Sequence, residues 1–168
     1  MTPDQTRVGV FGGTFDPIHV GHLIIAEIMR HQLSLSAVIF LPAGRPPHKP
    51  GQVLSADSDR LAMLNLAIVD CPAFSISRVD IDRGGASYTA DSLRLLHRQY
   101  DDVDNLYFLM GQDSLGDFPT WHRPDLIASQ ARLGVALRPG VDVAVDRVEK
   151  AVPEARGRID IVPVPLIG

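Results

Sequence analysis

Apolar residues along this chain follow two alternating rhythms. Short β-branched or aromatic runs recur at Val8-Gly9-Val10-Phe11, Ala37–Leu41, Phe74–Val79, Leu106–Met110, Leu133–Leu137 and Ile159–Val162. These short runs read as strands, and Phe74–Val79 does so through its alternation of apolar and polar positions. Between them the apolar positions return every three or four residues, the helical period. Leu23, Ile24, Ile28 and Met29 mark a helix from about Val20, and Leu61, Leu64, Ala67 and Ile68 mark one over 59–69 with Ser58 as its expected N-cap. Leu93, Leu96 and Tyr100 follow a cap at Thr89 or Ser87; shorter helices are expected near 114–118 and 124–129, and a weaker one over 143–151. The stretch 42–51 holds four prolines (Pro42, Pro46, Pro47, Pro50) and reads as a loop. Strands separated by helices imply βαβ units with right-handed crossovers. The expected class is α/β, a Rossmann-like open, mainly parallel sheet with helices on both faces. No repeat, low-complexity tract or composition break divides the chain, so residues 1–168 are expected to form one domain.

In an open α/β sheet, ligands bind beyond the carboxyl ends of the strands. The chemically suggestive residues all fall there: Gly12–His22 after the first strand, Gly44–Lys49 after the second, Gly84–Thr89 after the third, Gly111–Asp113 after the fourth and Arg138 after the fifth.

The first of these is the most informative. Gly12 and Gly13 lack Cβ atoms and let a ligand approach the backbone. Pro17 fixes its own φ and biases Asp16 toward an extended conformation. A helix starting near Val20 offers unpaired N–H groups and a partial positive charge, which suit an anion. His19 and His22 are three apart, on one helical face, with Gly21 between them. A lone histidine would be read as an ordinary surface or core residue. Two ligands at this spacing make half a zinc site, and with one cysteine and no acidic partner nearby a metal ranks below phosphate contact by two imidazoles.

Composition narrows the partners. A net charge of −4 argues against a nucleic-acid backbone and leaves a small phosphorylated ligand compatible. No apolar run reaches the roughly 18 residues of a membrane span, and Met1–Gln5 lacks the basic start and apolar block of a signal peptide. The single cysteine, Cys71, cannot form an internal disulfide, so a reduced, cytoplasmic setting is expected.

Gly12-Gly13-Thr14-Phe15-Asp16-Pro17-Ile18-His19-Val20-Gly21-His22 resembles the signature of the nucleotidylyltransferase superfamily, in the form typical of bacterial nicotinate-nucleotide adenylyltransferases. The resemblance extends from Val8 to about Pro165. It implies adenylyl transfer from ATP to nicotinate mononucleotide, giving deamido-NAD and pyrophosphate in NAD biosynthesis. His19 and His22 would be the catalytic pair. Gly12, Gly13, Thr14, Phe15, Gly21, Gly111 and Asp113 would join them in binding ATP. Asp16, Lys49, Ser87, Tyr88, Thr89, Trp121 and Arg138 would hold the second nucleotide. Without the resemblance, Lys49 sits in a proline-rich loop, Ser87–Thr89 reads as a glycine turn plus helix cap, Asp113 as a helix-terminal acid, Trp121 as a loop anchor and Arg138 as a surface residue. His31, His97 and His122 carry no such context and read as ordinary. Mg²⁺ is implied with ATP, held mainly by phosphate oxygens and water. The family continues past the last strand with an I-S-S-T-x-I-R-like segment; this sequence stops at Pro165-Leu166-Ile167-Gly168, where that segment should begin, so the domain is expected to lack it. Nicotinamide mononucleotide or pantetheine phosphate as acceptor, and a catalytically impaired nucleotide binder, are the alternatives. A homo-oligomer is compatible with the sequence.

Overall fold

A computed structural model describes residues 6–46, 51, 53–100 and 105–167. Its centre is a six-stranded sheet made of β1 (Arg7–Gly13), β2 (Ala37–Pro42), β3 (Phe74–Ile76), β4 (Asn105–Gly111), β5 (Arg132–Leu137) and β6 (Ile159–Pro163). The spatial order is β3-β2-β1-β4-β5-β6 and every pairing is parallel. Parallel strands covered on both faces need apolar side chains on both, which is why they appear in the sequence as continuous runs.

Two helices, α1 (Val20–Gln32) and α2 (Asp57–Ile68), pack on one face. Met29 and Leu64 meet Val38, Phe40 and Leu109 there, all buried. The other face carries α4 (Thr89–Gln99), α5 (Gln112–Asp117), α6 (Pro124–Gln130) and α7 (Val145–Ala151), whose Leu93, Leu96, Leu115, Ile127 and Val148 close over Val10, Phe108 and Val135. A short helix, α3 (Val79–Arg83), follows β3. No helix among the described residues is long and apolar enough to cross a membrane.

Three local expectations are corrected. The third strand ends at Ile76, and Val79 opens α3 instead of closing the strand. Asp80 anchors that turn from inside: it is buried, accepts from Ser92 Oγ and pairs with Arg83 at 3.1 Å. Its desolvation raises the carboxyl pKa, against the lowering effect of Ser92 and Arg83. The second helix starts two residues early, with Ala56 and not Ser58 at its N-cap; Asp57 and Asp59 in the first turn supply the charge that the dipole favours. Tyr88, neither Thr89 nor Ser87, occupies the N-cap of α4.

The order reverses direction between β1 and β4. At such a switch point the crossovers on either side leave opposite faces, opening a crevice above the carboxyl ends.

Candidate active site at the switch point

β1 runs straight into the glycine turn. Phe15 adopts φ 48°, in the left-handed region where a bulky residue is strained. Burial of its ring holds it there: Phe15 is 2% exposed and packs against Phe11 and Phe40 at centroid distances of 5.7 and 5.5 Å. A Cβ on Gly13 would stand 3.2 Å from this ring, so the glycine makes room for it.

α1 then begins at His19, its N-cap in extended conformation. The His19 backbone N–H donates to His22 Nδ1 at 3.2 Å. The two imidazoles stack, with centroids 3.7 Å apart and planes 25° from parallel. Gly21 makes this possible, because a Cβ there would lie 2.9 Å from two atoms of the His19 ring. His22 sits edge-on to Phe15 at 5.2 Å and Phe11 at 6.1 Å. Burial first, and the neighbouring His19 second, push its pKa down to about 4. At neutral pH the ring is therefore uncharged. Because Nδ1 accepts from the backbone, the single ring proton lies on Nε2, which is then a hydrogen-bond donor. His19 is exposed.

A cleft of about 470 Å³ opens beside His19 and Gly21, bounded by Val20, Ile25, Arg138, Val164, Pro165 and Ile167. A second hollow of about 270 Å³ shares Ile25, Arg138 and Val164 with it and reaches Gly111, Gln112 and Asp113. Together they form one groove over the ends of β4, β5 and β6, starting at α1. Arg138 pairs loosely with Asp113 at 3.5 Å, both side chains being exposed, so the guanidinium is available to an anion in the groove.

The groove thus gathers His19, Gly21, Gly111, Asp113 and Arg138 from the sequence-based set, with His22 stacked beneath His19. Others stand apart from it. Asp16 accepts the Ser55 N–H at 2.8 Å, which ties the glycine turn to the approach to α2 and lowers its pKa. Ser87 is buried, and its hydroxyl accepts from the Gly44 and Arg45 N–H groups at 3.0 and 3.3 Å. It thereby joins the loop after β2 to the one before α4. Tyr88 stacks on His122, centroids 4.2 Å apart, which brings the start of α4 against the loop that carries Trp121. Trp121 itself packs edge-on against Phe118 and Phe108 at 5.5 and 5.9 Å. Thr89 opens α4. Lys49 lies outside the described residues.

Three residues escaped the sequence reading. Gln112 is buried, and its side-chain carbonyl accepts the Arg138 N–H at 2.8 Å, fixing the exit of β5. His122, read as ordinary, is the stacking partner of Tyr88. Arg60 is buried in α2 with Leu64 and Ile68. Its place in their four-residue spacing was the available signal. Among the described residues no group of three or more His, Cys, Asp or Glu side chains is arranged to hold a metal ion.

Residues 10–161 match the cytidylyltransferase-like family. A probable nicotinate-nucleotide adenylyltransferase of Thermomicrobium roseum is 57% identical over 163 residues, covering 97% of this chain and 76% of that protein. A probable nicotinate-nucleotide adenylyltransferase of Roseiflexus sp. (strain RS-1) is 42% identical over 158 residues, covering 94% and 78%. Among solved structures, a Plasmodium falciparum nicotinic acid mononucleotide adenylyltransferase complexed with NaAD superposes with a TM-score of 0.76 at 15% identity, over 97% of this chain and 77% of that one. That likeness speaks to the fold, an α/β sheet of the same kind.

Proposed function

The chain belongs to the cytidylyltransferase-like family, and from that premise we propose that it transfers the adenylyl group of ATP to nicotinate mononucleotide, releasing pyrophosphate and deamido-NAD. Relatives at 57% and 42% identity carry that activity in their names. One observation carries the reading in this chain: His19, stacked on His22 and set by a glycine turn at the start of α1, borders a groove that Arg138 lines just past the end of β5.

An oxygen of the mononucleotide's 5′-phosphate forms a bond to the α-phosphorus of ATP. The bond from that phosphorus to the β-bridging oxygen breaks, and its electron pair leaves on pyrophosphate. The attacking phosphate is already an anion, so no general base is required. What remains is positioning and stabilisation of charge. His22, neutral and protonated on Nε2, donates to a phosphate oxygen; His19, at the groove's edge, takes a second. Gly12 to Phe15 supply backbone to the triphosphate, and Gly111 and Asp113 take the adenosine side. Arg138 meets an anionic phosphate. Tyr88, Thr89 and Trp121, with Lys49, form the side assigned to the pyridine nucleotide, and Ser87 and Asp16 brace it. Mg²⁺ would enter with ATP, held mainly by phosphate oxygens and water, since imidazole nitrogens suit this hard cation poorly; it would supply charge neutralisation on the phosphates. We place the reaction in the cytoplasm, in keeping with the free Cys71.

The test is pyrophosphate release from ATP, Mg²⁺ and nicotinate mononucleotide, with deamido-NAD identified as product. Nicotinamide mononucleotide and pantetheine phosphate compete in the same assay, and preference for either overturns the assigned acceptor. In His22→Ala the rate should fall by about 10²–10³-fold. No turnover in the wild type would leave a nucleotide-binding protein.

A further inference from the structure

Arg60 is 1% exposed. A guanidinium carries five N–H donors and keeps its charge, so it enters a protein interior only where partners await it. Here Nη1 donates to the Thr14 carbonyl and to the Ala43 carbonyl, both at 2.8 Å. Nη2 donates to the Asp57 carboxylate at 2.6 Å, while the buried Nε–H has no partner among the described residues. Asp57 is half-exposed, so the guanidinium is the buried half of that pair.

The location of the two carbonyls gives the contact its meaning. β1 and β2 pair as far as Gly13 and Pro42, and one more bond, from the Ala43 N–H to the Gly13 carbonyl, closes the ladder. Beyond it the two segments separate. One turns through Thr14 and Phe15 into α1, and the other enters the loop of Gly44 and Arg45. Arg60 sits in the fork and supplies the next rung from the side. Its bond to the Thr14 carbonyl also polarises the Thr14–Phe15 peptide, making that N–H a stronger donor.

We propose that Arg60 is a positioning residue for the transfer. It sets the glycine turn assigned to the ATP phosphates against the loop assigned to the second nucleotide, and it acts through two backbone carbonyls without touching either reactant. The assignment of the two loops rests on the function proposed above; the fork does not. Misplacing one reactant by about 1 Å costs about 10²-fold in rate. In Arg60→Met, kcat should therefore fall by about 10²-fold while either KM moves by less than about threefold, the signature of lost alignment and not of lost binding. Arg60→Lys keeps the positive charge, but its ammonium ends one bond short of Nη1, so it should recover part of the rate and exceed the Met variant. Asp57→Asn leaves both carbonyl bonds in place and should stay within about threefold of wild type.

The experiment pairs steady-state kinetics on these proteins, well below their melting temperatures, with native-state hydrogen exchange. In Arg60→Met the amides of residues 13–16 and 43–45 should exchange faster together, by about tenfold or more, while those of β4 keep their protection. An unchanged kcat, a loss confined to the KM of one substrate, or loosening of only one segment overturns the proposal. If the wild type makes no dinucleotide, the functional reading fails by itself and the exchange data still decide the fork. Where Arg60→Met does not fold, Arg60→Gln replaces it, and equal kcat in the Gln and Lys variants overturns the proposal.

Discussion

Acidification should destabilise this protein in a way traceable to His22. Burial and the adjacent His19 push its pKa from the usual 6.5 down to about 4. For a ring wholly removed from water, a fall of that size is worth about 3.4 kcal/mol at about 1.36 kcal/mol per pH unit. This side chain is only partly buried, so screening reduces the figure to about 1.5 kcal/mol. Unfolded chains take up a proton on this residue near pH 6.5, whereas folded chains refuse it until about pH 4. The contribution is therefore fully present above pH 6.5 and is lost progressively as the pH falls toward 4. The assay is urea unfolding of the wild type and His22→Gln at a series of pH values across that window. The wild type should lose about 1.5 kcal/mol more than the variant, because carboxylates titrate alike in both. An NMR titration of the imidazole supplies the midpoint directly. A midpoint near 6.5, or parallel pH profiles for the two proteins, would refute the view that desolvation controls this ring.

Three further outcomes follow from contacts in and around the groove. Gly21→Ala places a methyl 2.9 Å from the His19 ring, which must leave its stack; kcat/KM should drop by about tenfold or more with little change in Tm, measured by pyrophosphate release and thermal melting. Ser87→Ala deprives the Gly44 and Arg45 N–H groups of their acceptor and should cost about 1–3 kcal/mol in denaturant unfolding. Arg138→Ala removes the exposed guanidinium that shares the groove with His19; a charge-assisted contact worth about 1.5–3 kcal/mol predicts a rise of about tenfold or more in the KM of a phosphorylated substrate, with the Arg138 N–H still held by Gln112.

The parts of the fold that were legible are those where one local rule suffices. Strands buried on both faces must be apolar throughout, so the inner strands appeared as runs; the edge strand β3, whose Ser75 is exposed, was legible from its alternation. The glycine turn was legible because a close approach and a helix start constrain residue type locally. Ser77-Arg78-Val79 continues the alternation of the third strand, yet Asp80 is drawn inward by Ser92, twelve residues away, and the chain coils into α3 from Val79. Ser87 has the chemistry of a helix cap, but its hydroxyl is engaged by backbone donors 43 and 42 positions earlier. Arg60 was missed for the same reason. Its two carbonyl acceptors lie 46 and 17 residues away, and their meeting at the fork joins the nearby Asp57 carboxylate in holding a buried cation. Among the proposed site residues, spacing along one helix foretold the His19–His22 neighbourhood. The meeting of Tyr88 with His122 depends on how two loops land, which no local pattern encodes.

His22 is wedged between Phe11 and Phe15, a polar ring lodged at the border of an aromatic cluster. A protein engineer seeking a tougher scaffold would be drawn to replace it with leucine, which satisfies the aromatic wall and removes a titratable group. Such a variant should melt higher and resist acid better, yet, on the role proposed for His22, lose most of its turnover. Selection for robustness alone would thus erode the chemistry here first, and the persistence of an imidazole at this spot in any descendant would itself report that the reaction is still being used.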